Sequence, residues 1–359
     1  VASGRGIGVI INFIEHNVYI IKFHKLQHRA YCSAQTETIM FVDIALQNIA
    51  SPAVLFFLMG AAASLARSDL EVPDQVARLL SLYLMMSIGY RGGIEIAHHG
   101  VSMTLLGALA AGVVLSFVTP VLAERLLRLL TRLGRVDRAA IAGHYGSISA
   151  VTFAAVTAVT VQLAMPADGF MVAVAAAMET PAILSCLLLA GRGNQRISGR
   201  TVLGEVFLNG SVVTLLGALV VGAVASPGAT VPVKSFLVDL FPGFLCLFLL
   251  EMGLIAGRGI RDSWRTITPG LLVFAAAMPL LGATMASGLA IAIGLSTGNT
   301  AVFMTLGASA SYIAVPAALR LALPKANLAV ALTLSIGVTF PFNLLLGIPL
   351  YVAVARALN

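Results

Sequence analysis

Gly143-His144-Tyr145-Gly146-Ser147-Ile148-Ser149-Ala150-Val151-Thr152 lies inside an otherwise apolar segment of about residues 139–163. A segment of that length crosses a bilayer, which takes about 20 residues. Two glycines and two serines at its centre weaken the helix there. Backbone groups released at such a break cannot face lipid, so they line a buried cavity or bind something. A second stretch, Gly307-Ala308-Ser309-Ala310-Ser311-Tyr312-Ile313-Ala314-Val315-Pro316, has the same character. Its Ser309 and Ser311 stand 162 residues after Ser147 and Ser149. Interrupted membrane segments at matching places in two halves point to the binding site of a secondary transporter.

The rest of the chain agrees with a membrane protein. Hydrophobic residues make up 59% and charged residues 10%, against about 25% charged in soluble domains. The net charge of +7 is no nucleic-acid signal, because the basic residues sit in short loops between apolar runs. Cys32, Cys186 and Cys246 show no paired spacing, so neither a disulfide nor a zinc framework is expected. No His-Glu-x-x-His, phosphate loop or nucleophile with a base at helical spacing is present, and no enzyme or organic cofactor is expected.

Residues 1–39 differ in texture from the other 320 residues of the 359. They hold His16, His24 and His28 with Lys22, Lys25 and Arg29, and lack a signal peptide's apolar core and cleavage site. They read as a non-native or disordered leader with Met40 as the natural start, or alternatively as an amphipathic leader. Ten apolar segments come after it, at about 49–66, 78–97, 101–123, 139–163, 169–190, 203–224, 233–257, 266–288, 294–319 and 327–355. Helices are the only suitable spanning element, since the runs are too long and too uniformly apolar for barrel strands.

With ten spans, fifteen basic residues fall on one side. They are Arg67, Arg78, Arg125, Arg128, Arg132, Arg135, Arg138, Arg192, Arg196, Arg200, Arg258, Arg261, Arg265, Arg320 and Lys325. The positive-inside rule makes that side cytoplasmic and puts both termini outside. The halves, 40–200 and 201–359, read as five-helix repeats. Gly89 matches Gly253 at an offset of 164, and Thr180-Pro181 matches Thr339-Phe340-Pro341 at nearly the same spacing. An odd number of spans per repeat inverts the second copy. The expected fold is therefore an all-α polytopic membrane protein of ten transmembrane helices in two inverted five-helix repeats, with helices four and nine broken.

Several pieces together resemble the SbtA family of sodium-dependent bicarbonate transporters. They are Ser68-Asp69-Leu70-Glu71-Val72-Pro73, Ile88-Gly89-Tyr90-Arg91-Gly92-Gly93, the break from Gly146 to Thr152, Glu179-Thr180-Pro181-Ala182, and the run Ala308–Ala329. The resemblance covers about residues 41–355 and implies a bacterial inner-membrane protein. It also implies a homotrimer, a core moving against a scaffold, sodium-coupled anion uptake, and a small PII-like regulator on the cytoplasmic side. Three features depart from the family pattern. Tyr312 stands where characterised members carry an aspartate, Ala150 replaces a glycine, and the insert between the halves shrinks to about residues 191–202.

Ser147, Ser149, Ser309 and Ser311 are the first candidates for the anion site, with Gly146, Ala150 and Tyr312 beside them. Half-helix N-termini offer partial positive charge and free N–H groups, which suit a small anion. Serine hydroxyls donate to an oxyanion and can also accept a cation as oxygen ligands. Small residues that merely allow close helix packing are the competing reading. Thr152, Glu179 and Ser311 are the candidate sodium ligands. Glu179 lies in mid-span beside a proline, where a carboxylate is costly; a structural ion pair is the alternative. Glu251 suits pairing with a loop arginine, and Arg91 and Glu95 suit an i,i+4 pair. His144 reads as a packing histidine or a pH-sensitive group. Thr180, Asn299, Thr300 and Asn343, like Thr152, offer oxygen ligands, with ordinary caps or interhelical hydrogen bonds as the alternative.

These readings lead to sodium-coupled uptake of a small anion, bicarbonate first. The alternatives are another small carboxylate, sodium–proton exchange through Glu179, or a non-transporting membrane platform that docks a regulator.

Overall fold

Serines and prolines set where the helices begin. Ser51 Oγ accepts the Val54 N–H at 3.4 Å and Pro52 takes the first position of α2 (Pro52–Leu65), behind a short α1 (Val42–Ile49). Ser102 Oγ accepts the Leu105 N–H at 3.1 Å and starts α4 (Met103–Leu130). Such caps satisfy N–H groups that have no partner in the first turn, and proline at that position loses nothing. The computed structural model describes residues 42–99, 102–191, 210–225, 232–263, 267–312 and 325–359, with 315, 316, 318, 319 and 323. The leader with Met40, and the basic residues Arg192, Arg196, Arg200, Arg265 and Arg320, lie outside these.

The remaining elements are α3 (Asp74–His99), α5 (Arg135–Gly146), α6 (Ala150–Gln162), α7 (Met171–Ala177), α8 (Glu179–Ala190) and α9 (Gly210–Val224). Then come α10 (Phe241–Ser263), α11 (Pro269–Ile293), α12 (Thr297–Ala308) and a final helix, α13 (Leu328–Leu358). The described residues are all-helical, without strands. Among the described residues, six helical stretches are long and apolar enough to cross a membrane, seven if the bent pair α1–α2 counts as one span. Three expected segments fall short of that test for separate reasons. Helix α3 carries Asp74, Arg78, Arg91 and Glu95, α9 has 15 described residues, and α12 stops at the second break.

Two long-range pairs frame the molecule, α2 along α10 and α3 along α9. Both are glycine seams. A Cβ at Gly60 would overlap the Leu250 carbonyl oxygen, and one at Gly253 the Phe57 carbonyl. At the other seam, Gly89, Gly93 and Gly222 face the carbonyls of Leu215, Leu219 and Tyr90 in the same way. Only hydrogen fits at such contacts, so the backbones approach as closely as small-residue interfaces permit. Gly89 and Gly93 are four apart, as are Gly253 and Gly257, the small-xxx-small spacing that the sequence carries in the open.

A π-turn at Ser235–Asp239 precedes α10. Three residues one turn apart on α3 take its successive carbonyls. Tyr83 donates to Phe236 O, Ser87 to Leu237 O, and Arg91 to Val238 O at 2.7 Å. Arg91 also lies over the Phe241 ring, 5.3 Å from its centroid, while Glu95 accepts the Gly169 N–H at 3.1 Å. The expected Arg91–Glu95 pair is thus replaced by two longer-range contacts. Glu251 does face an arginine, Arg258, at 3.8 Å.

Candidate functional site

The first break begins where α5 ends. Ser147 adopts extended backbone (φ −95°, ψ 164°) and Ser149 follows suit (φ −100°, ψ 112°). Ser149 then restarts the helix: its Oγ accepts the Thr152 N–H at 3.2 Å, and its carbonyl accepts Phe153 N–H at 2.9 Å. The positive end of α6 consequently points back at the break. The second break repeats this at the end of α12. Ser309 is extended (φ −82°, ψ 165°), and both its N–H and its hydroxyl donate to Leu306 O. The carbonyl of Ala308, freed by the break, accepts Asn343 Nδ2–H at 2.8 Å.

The two extended stretches cross and bind each other. Ser149 N–H donates to Ser309 Oγ at 3.0 Å. Ser311 N–H donates to the His144 carbonyl at 2.7 Å, and His144 Nδ1 lies 2.7 Å from the Ser311 carbonyl. A carbonyl only accepts, so Nδ1 carries the proton. His144 thus closes a reciprocal clasp on one residue of the opposite break.

The clasp leaves the two breaks unlike. The bond at the matching sequence positions, from Ser311 N–H to Ser147 Oγ, is not made. Because His144 O takes that N–H, Ser147 Oγ is left buried with no hydrogen-bond partner among the described residues. His144 Nε2 is buried and unpartnered too, and the buried Tyr312 hydroxyl faces the Ser149 side chain. Buried polar atoms normally find partners, so two orphans beside one crossing, Ser147 Oγ and His144 Nε2, make it the candidate site.

Glu179 starts α8 next to the first break. Ser116 on α4 joins the two: its hydroxyl donates to the Met178 carbonyl, and its own carbonyl lies against Gly146. Glu179 is 5% exposed, its Oε2 has no hydrogen-bond partner, and no ion pair to it occurs among the described residues. The structural ion pair weighed from the sequence is therefore not found.

The crossing brings together Ser147, Ser149, Ser309, Ser311 and Tyr312, all at most 9% exposed. Thr152 is buried one turn into α6, and Ala150 is half-buried at its start. Gly146 plays a packing part: a Cβ there would strike Pro120 and the Ser116 carbonyl. Gly307 likewise lies against Gly282 on α11. Asn299 is held by Asp168 in the loop before α7, and Asn343 joins Ala308 of α12 to Tyr351 of its own helix.

Some supporting residues gave weaker signals. Tyr145 donates to Thr339 Oγ1 at 2.6 Å, and Thr339 in turn donates to Ala275 O. Thr339 and Asn343 belong to π-turns of α13, 335–339 and 343–347. Pro120 and Ser116, one turn apart in α4, were the available hint that this span meets a break.

Two comparisons bear on this arrangement. Residues 52–356 match the family model of the Na+-dependent bicarbonate transporter superfamily. No curated protein matches the chain.

Proposed function

The chain belongs to the Na+-dependent bicarbonate transporter superfamily, and from that premise we propose sodium-coupled uptake of bicarbonate through the crossing of the two breaks. It is a multi-pass membrane protein, and the reading puts it in the bacterial inner membrane. The single observation that carries the site is the orphaned Ser147 hydroxyl beside the start of α6, inside a crossing that satisfies its symmetric twin. An anion there receives a hydroxyl donor and the positive end of a helix. Ser147, Ser149, Ser311 and Tyr312 line the site in this reading, with Gly146 and Ala150 supplying backbone. Ser309 holds the crossing together.

Ten spans in inverted repeats are part of the same proposal. The two seams support it: exchanging the halves turns the α2–α10 pair into α9–α3. Gly89 and Gly253, and Gly93 and Gly257, then swap at one offset of 164. A homotrimer and a PII-like cytoplasmic regulator follow from the resemblance alone.

Sodium is the co-transported ion, and oxygen ligands suit it. Glu179, Thr152 and Ser311 are the proposed ligands, with Glu179 supplying charge where Tyr312 has none. A second reading has one observation behind it. An unpaired buried carboxylate can carry a proton, so Glu179 also suits sodium–proton exchange. The test is uptake of radiolabelled bicarbonate by the reconstituted chain with and without an inward sodium gradient. Gradient-dependent uptake supports the proposal; sodium-driven proton movement without bicarbonate uptake supports the second reading.

A further inference from the structure

His144 has one nitrogen at work and one idle. The Ser311 carbonyl fixes the proton on Nδ1 at 2.7 Å. In the neutral ring, Nε2 then presents a lone pair and nothing else. It sits on the opposite edge of the imidazole, fully buried and without a hydrogen-bond partner among the described residues. Ser147, three residues on, offers the complementary group, a buried and unpartnered hydroxyl. The ring cannot turn away, because the Ser311 N–H holds the backbone of His144 while the Ser311 carbonyl holds its side chain.

We infer that His144 Nε2 reads the O–H of the transported anion and is a specificity-determining residue of the site. The inference rests on the bicarbonate reading above and deepens it. Bicarbonate carries two oxygens that accept and one hydroxyl that donates. Ser147 Oγ–H and the N-terminus of α6 serve the accepting oxygens, and Nε2 accepts from the hydroxyl. Nitrate and acetate are planar anions of the same heavy-atom count, but neither has a proton to donate. Either would leave Nε2 buried and unpaired, and a site built around a ligand O–H rejects analogues that lack it. The Nδ1 clasp makes this discrimination possible, because it denies Nε2 a proton of its own.

His144→Asn tests the assignment. The asparagine amide can still donate to the Ser311 carbonyl, while nothing replaces the acceptor beyond it. Uptake of radiolabelled bicarbonate by the reconstituted full chain is measured against nitrate and acetate as competitors at one fixed sodium concentration. The expected result is an apparent bicarbonate affinity lowered about tenfold, with inhibition by nitrate and acetate undiminished. Equal weakening of all three anions, or of none, overturns the assignment and makes His144 a structural clasp only. The wild-type chain gives an independent check that needs no variant to fold. It should prefer bicarbonate over nitrate and acetate by tenfold or more, and indifference among them sinks the idea. Wild-type chain that takes up no bicarbonate refutes the transport reading and this assignment with it. Preserved uptake with unchanged selectivity in the variant refutes the assignment alone.

Discussion

Asn343 Nδ2 donates to the carbonyl oxygen of Ala308 across 2.8 Å, and its Oδ1 accepts from Tyr351 at 2.9 Å. One amide therefore fastens α13 to the end of the half-helix that leads into the second break. Asn343→Ala leaves a buried carbonyl and a buried phenol unpaired. Each costs about 1–3 kcal/mol. Thermal unfolding in detergent should show a large loss, with uptake reduced in proportion to folded protein. A variant as stable as wild type would mean water replaces the amide.

Ser147 and Ser309 should behave as opposites. Ser309→Ala removes the acceptor for Ser149 N–H and a donor to Leu306 O, so it should lower stability by about 1–2 kcal/mol. Ser147→Ala removes a hydroxyl with no protein partner, so stability should hold. Its effect should fall on the substrate constant, raised roughly tenfold to a hundredfold for a lost hydrogen bond to an anion. Concentration-dependent bicarbonate uptake beside melting curves separates the two; equal effects from both would remove the asymmetry argument.

That contrast marks how far the chain could be read in advance. Glycine and serine clustered inside apolar runs made both breaks legible, because such residues weaken a helix wherever they stand. Nothing local distinguishes Ser147 from Ser309, which share a pattern and an offset. Their difference arises only when the His144 carbonyl takes the Ser311 N–H from the other half of the chain, a tertiary event. The Gly89–Gly93 and Gly253–Gly257 spacings were visible in the sequence, but which helix each glycine faces was not. The π-turns were hidden for a similar reason, since α3 supplies the donors that satisfy the Ser235–Asp239 carbonyls.

The glycine seams make a sharp prediction with its own control. Gly253→Val forces a side chain into the Phe57 carbonyl, at a cost of about 3 kcal/mol or more, and the chain should fail to assemble. Gly217 lies on α9 with open space around it. Gly217→Ala should be tolerated and gain up to about 1 kcal/mol of helix stability. Size-exclusion profiles and melting temperatures of the two variants decide the matter; a well-assembled Gly253→Val protein would mean the seam is looser than described.

Glu179→Gln keeps shape and removes charge. If the carboxylate supports sodium, bicarbonate uptake should lose most of its sodium dependence while melting behaviour holds, since no protein ion pair is lost. Uptake measured across a sodium series at fixed bicarbonate gives the answer. An unchanged sodium response would remove Glu179 from the coupling site.

The rungs from α3 to the π-turn should matter to stability and not to selectivity. Ser87→Ala strands the buried Leu237 carbonyl, at about 1–3 kcal/mol. Anion competition profiles should stay as in wild type, and a change in them would tie this distant contact to the crossing.

The seams also bear on how the protein is made. Helices α2 and α3 leave the ribosome early, yet the backbones they fit against, α10 and α9, are synthesised only after the whole first half. Until then, Gly60, Gly89 and Gly93 offer bare main-chain surface to lipid or to whatever insertion machinery shelters them. Neither seam can therefore close until the later helices are made. Birth order and final neighbourhood run in opposite senses, and the newborn amino-terminal hairpin must wait, unmated, for its partners to arrive.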